Sequence, residues 1–103
     1  GAGVAAVAAY ADRLDAALTG FRAAITGAAG CPIVVGGLAD DFINYHGANA
    51  EALQAIIEDT PNRLPNCAYA SSAGLATSDL THFTAAAQRI FAGRFYGGWA
   101  SLS

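Results

Sequence analysis

The chain has 103 residues, 54% of them hydrophobic and 13% charged, with a net charge of −3 at pH 7. That length holds one domain at most, and the apolar share excludes a disordered charged tail. All five basic residues are arginines and form no stripe for phosphate backbones, so no nucleic-acid partner is expected. No stretch approaches the roughly 20 continuous apolar residues of a membrane span, so no membrane partner is expected either.

The opening residues Gly1 to Val7 are apolar but carry no basic n-region, which does not fit a signal peptide. The sequence contains no Met, and Gly1 is read as a processed, cleaved or truncated start. From Val4 to Ile25, apolar residues recur at Val7, Tyr10, Leu14, Leu18, Phe21 and Ile25, one face of a helix that Gly27 and Gly30 end. Cys31 to Leu38, entered through Pro32 and rich in β-branched residues, predicts a strand buried on both faces and hence parallel. A polar loop is expected over Ala39 to Gly47. A helix from Ala50 to about Glu58 follows, capped by Asn49 and ended by Pro61 and Pro65.

Cys67 to Ala73 is the second strand candidate, and the loop from Gly74 to Thr81 leads into a final helix over Thr84 to Tyr96. Phe83, Ala87, Ile90, Phe91 and Arg94 recur there at helical steps, Gly97 and Gly98 close the helix, and Trp99 and Leu102 pack back as a tail. The alternation of helices with two strands predicts an α/β layer structure with parallel strands. Two such strands are too few for a complete sheet, so residues 1–103 read as the C-terminal part of a larger doubly wound domain. Cys31 and Cys67 head the two strands. They could meet at one end of the sheet as a disulfide, which would imply a secreted or extracytoplasmic protein, or stand as two buried free thiols.

The chemistry concentrates in Ser78-Asp79-Leu80-Thr81-His82-Phe83. A carboxylate three positions before an imidazole can reach it across one turn, fix its tautomer and stabilise the imidazolium. In that reading His82 is general base and then general acid, and Asp79 orients it. The alternative makes Asp79 a cap of the last helix within a non-catalytic α/β interaction module. Ligands of open α/β sheets gather at the carboxyl ends of the strands, where the loops from Gly36 to His46 and from Gly74 to His82 lie. Asp40 and Asp41 could shape a pocket or bind a cation, or be solvated. His46 beside Tyr45 could contact a sugar ring or be a surface residue. Ser71, Ser72 and Ser78 lack the Gly-rich strand-to-helix turn that exposes a nucleophile. No zinc-type spacing and no phosphate-binding loop occur, so no metal and no cofactor are expected.

The stretch Ala73 to Ala86, with Gly74-Leu75, Asp79-x-x-His82-Phe83-Thr84, resembles the last motif block of SGNH (GDSL-type) hydrolases, most of all the sialate O-acetylesterase-like carbohydrate esterases. The helix with Tyr10, Leu14, Phe21 and Arg22, followed by Pro32-Ile33-Val34-Val35-Gly36, is similar to a segment of the same family. The resemblance implies a three-layer α/β/α flavodoxin-like fold, no metal, His82 and Asp79 as two members of a Ser-His-Asp triad, and hydrolysis of small acyl esters, often acetyl groups on sugars. Ala87 stands where the family often has Gly. Nothing in the chain matches the family's nucleophilic Ser block or its Gly and Asn oxyanion donors. An N-terminal remainder of the same domain, on the same or a separate chain, is therefore the expected partner.

Overall fold

The computed structural model describes residues 2–102 in the order α1 (Ala2–Ala24), β1 (Ile33–Gly36), α2 (Asp40–His46), α3 (Ala48–Arg63), β2 (Cys67–Ala70) and α4 (Ala85–Ser101). β1 and β2 pair in parallel, with Ile33 opposite Cys67 and Gly36 opposite Ala70. α2 and α3 make the crossover between them. This is the α/β arrangement with parallel strands that the sequence predicts.

Side-chain alternation along the strands assigns the two faces of the sheet. Val34 and Ala68 lie across from each other and face α4, where a Cβ on Gly98 would stand 3.1 Å from Val34 Cγ1. Tyr69 points to the other face and bonds Gln54 of α3 at 2.6 Å. α1 packs outside, against α3, and Arg63 Nε donates to Asp15 at 2.9 Å to tie the two helices. Arg22, in the last turn of α1, donates at 2.7 Å to the Cys31 carbonyl and at 3.0 Å to the Asn66 carbonyl, the peptide groups that lead into β1 and β2.

Several expected boundaries move. The stretch expected as the loop Ala39 to Gly47 contains α2, with Asp40 and Asp41 in its first turn, where the helix dipole favours acids. Gly47, at φ 73°, separates α2 from α3, so Asn49 lies inside α3 and does not cap it. Pro61 sits in the last turn of α3, where it removes a single ladder bond. Nearby, the Ile56 carbonyl accepts from the Thr60 hydroxyl and Arg63 Nη1. α4 continues through Gly97 and Gly98 to Ser101, so Trp99 belongs to the helix and not to a tail. Gly98 is the point at which helix backbone and sheet approach, which is why a glycine there does not end the helix.

Phe21 and Ile25, expected on the apolar face of the first helix, are 63% and 57% exposed, and Ile90 of α4 is also exposed. All four residues of β1 are only half-buried, against the expectation of a strand covered on both sides. Both cysteines are free thiols. The residue opposite Cys67 is Ile33, so Cys31 lies two positions beyond the register that a bridge would need. The expectation of export that rested on that bridge loses its basis.

The packing predicts that Gly36→Ala is destabilising, because the new methyl group would lie 2.5 Å from the Phe95 ring and 2.8 Å from the Phe91 ring. A loss of about 1–3 kcal/mol is expected from such overpacking, read as a lower midpoint in urea denaturation.

Candidate active site

The segment between β2 and α4 leaves the carboxyl end of the sheet and is pinned along its length. Ser72 is buried and donates its hydroxyl to the Leu38 carbonyl, joining the exits of the two strands. Arg94 Nη1 reaches from α4 to the carbonyls of Ser71 at 2.9 Å and Ala73 at 2.8 Å. Leu75 is buried as the apolar anchor of the segment. Thr77 and Phe83 then form an antiparallel bridge, and the Ser78 N–H donates to the His82 carbonyl at 3.0 Å. Residues 78–82 are thus the tip of a very small hairpin.

At this tip Asp79 Oδ1 accepts the N–H groups of Thr81 at 3.0 Å and His82 at 2.7 Å, while Oδ2 lies 2.6 Å from His82 Nδ1. An ionised carboxylate only accepts, so a proton resides on Nδ1, and in the neutral imidazole the lone pair is then on Nε2. The backbone N–H of His82, its ring and the N–H of Thr81 together hold the Asp79 carboxyl well below its ordinary range, at about 2. The two side chains predicted to act together are together. Asp79 does not cap α4: the Thr84 hydroxyl does, accepting from Ala87 N at 3.1 Å.

Leu80 turns the tip with φ 73°, a left-handed conformation that costs a non-glycine residue about 1 kcal/mol. Its N–H donates to Thr77 Oγ1 at 3.2 Å, and the Thr77 hydroxyl donates to Asp41 Oδ2 at 2.7 Å. Asp40 Oδ2 accepts the Gly74 N–H at 2.8 Å. The adjacent carboxylates of α2 are therefore engaged with the loop after β2. Sequence reading missed this role, since Asp41 and Thr77 stand 36 positions apart.

The pair is open to solvent, with side-chain exposures of 77% for His82 and 52% for Asp79. Among the described residues nothing hydrogen-bonds His82 Nε2. The hydroxyl of Ser78 donates to the His82 carbonyl, and that of Ser71 accepts from Ala73 N. Neither is placed as a nucleophile. His46 packs on Phe42 with ring centres 4.3 Å apart and on Tyr45, and is not part of the site. Among the described residues no group of three or more His, Cys, Asp or Glu could hold a metal ion, and no helix is long and apolar enough to cross a membrane.

No protein-family model, curated protein or solved structure matches the chain.

Because the Asp79 carboxyl is depressed from 3.8 to about 2, its contribution to the turn is complete above 3.8 and is lost as pH falls through about 2. In a carboxyl-carbon NMR titration Asp79 should show a midpoint of about 2. The amides of Thr81 and His82 should keep their chemical shifts until the same pH. A midpoint at the ordinary value would show that the turn does not form.

Proposed function

We propose that Asp79 and His82 are the acid–base half of a serine ester hydrolase of the SGNH type, acting on small acyl esters such as acetylated carbohydrates. The observation that carries this reading is the 2.6 Å contact that fixes Nδ1 as donor and leaves Nε2 unbonded. That is the state in which an imidazole can take a proton from a hydroxyl and deliver it to a leaving alkoxide. The resemblance of residues 73–86 to the last motif block of that family supports the reading.

The nucleophilic serine and the oxyanion donors come from a further segment, in the same chain or in a companion chain, that completes the domain. Several surfaces support this. In the strand pairing, Ile33 N–H bonds the Asn66 carbonyl and Gly37 N–H the Ala70 carbonyl, which turns the peptide groups of Val34 and Gly36 to the outer edge of β1. No strand among the described residues pairs with that edge. α4 also leaves the large apolar side chains of Ile90, Tyr96 and Trp99 exposed. The accessible surface is 6053 Å², against roughly 5,400 Å² for an ordinary globular protein of this mass. Covering the site would also exclude water from a carboxylate–imidazole hydrogen bond that solvent now screens.

The test is hydrolysis of p-nitrophenyl acetate by the native protein with whatever polypeptide travels with it, together with labelling by a fluorophosphonate. His82→Ala should lower kcat/KM by about a thousandfold or more and abolish labelling of a serine outside residues 71–78. Hydrolysis that is unchanged in His82→Ala would overturn the assignment.

A further inference from the structure

Thr77 is half-buried between α2 and the tip of the small hairpin, and its hydroxyl makes two bonds with opposite roles. It has one proton and gives it to Asp41 Oδ2 at 2.7 Å. With that proton committed, an oxygen lone pair is held toward the Leu80 N–H, which it accepts at 3.2 Å. Leu80 is the one residue between Asp79 and Thr81, and its left-handed backbone is what brings the Thr81 and His82 amides round to Asp79 Oδ1. Without a partner for its proton, the Thr77 hydroxyl is free to rotate and the Leu80 N–H has no fixed acceptor.

We propose that Asp41 is a positioning residue for the Asp79–His82 pair, acting through the Thr77 hydroxyl on the backbone of Leu80. Asp41 lies in the first turn of α2, directly after β1, so the exit of β1 is coupled to the turn that follows β2. Asp40, which accepts the Gly74 N–H at 2.8 Å, holds the beginning of the same loop and has no bond to its tip. The two neighbouring carboxylates thus have separable effects. The inference deepens the hydrolase reading for its kinetic consequence, while its structural content is independent of any activity.

The experiment compares wild type with Asp41→Ala, Thr77→Val, Thr77→Ser and Asp41→Asn by amide hydrogen exchange, carboxyl-carbon titration of Asp79 and hydrolysis of p-nitrophenyl acetate. Asp41→Ala and Thr77→Val should speed exchange at Leu80, Thr81 and His82 and move the Asp79 midpoint up from about 2 toward 3.8. They should lower kcat about ten- to a hundredfold with KM held. Thr77→Ser keeps the hydroxyl and Asp41→Asn keeps an acceptor oxygen, so both should retain wild-type exchange. Wild-type exchange at Leu80 and a wild-type Asp79 midpoint in Asp41→Ala would overturn the proposal. A wild type without esterase activity even with the serine-bearing segment present would overturn the hydrolase reading alone, and the exchange and titration would still decide the role of Asp41. Should Thr77→Val fail to fold, the Asp41→Ala and Asp41→Asn comparison decides it.

Discussion

The parallel register of the two strands is the constraint on which the rest depends, and the Arg22 guanidinium helps to set it. By holding the carbonyls of Cys31 and Asn66 together, it aligns the starts of β1 and β2 with the end of α1. Two parallel strands that start level also end level, at Gly36 and Ala70. Their exits therefore emerge side by side, and the contacts between the two exits follow from that: Ser72 on Leu38, Asp40 on Gly74, Asp41 on Thr77. A shift of one strand by one residue would turn Val34 or Ala68 away from α4 and separate those partners.

Local signals in the sequence were legible where they were strong. The first helix, both strands, the final helix and the Asp79–His82 contact all depend on period or on spacing within one turn. The misread positions share a cause, namely that tertiary contact reassigned a residue whose local preference pointed elsewhere. Gly98 reads as a helix stop and is instead the close-approach point on the sheet. Pro61 reads as a terminator and sits within the final turn of α3. The stretch expected as the loop Ala39 to Gly47 reads as polar because Asp40 and Asp41 serve partners 34 and 36 positions away, which no local pattern displays. Cys67 heads β2, as read, but Cys31 lies two residues ahead of β1, an offset that is a property of pairing and not of either run alone.

The site itself shows what a short-range motif can and cannot do. Five residues build a carboxylate–imidazole pair whose geometry is set by backbone amides, so much of its orientation is internal to the turn. What such a turn cannot supply is a low dielectric. With both side chains exposed, water competes for each interaction and the pair gives little net energy. Its catalytic worth depends on whether another surface displaces that water, which is how this hairpin differs from a self-contained triad.

The dimensions of the chain, 39 × 37 × 20 Å, describe a slab. A body only 20 Å thick in one direction has little interior volume to fill with large side chains. The fully buried apolar set is correspondingly small-residue in character, with Ala39, Ala50, Ala70 and Ala87 among its members. Thermodynamically, such a body hides little hydrocarbon relative to its unfolded chain. A small heat-capacity increment of unfolding and a free energy that changes gently with temperature and denaturant are the expected result. Association through the open edge of β1 would steepen both dependences in proportion to the apolar area it covers.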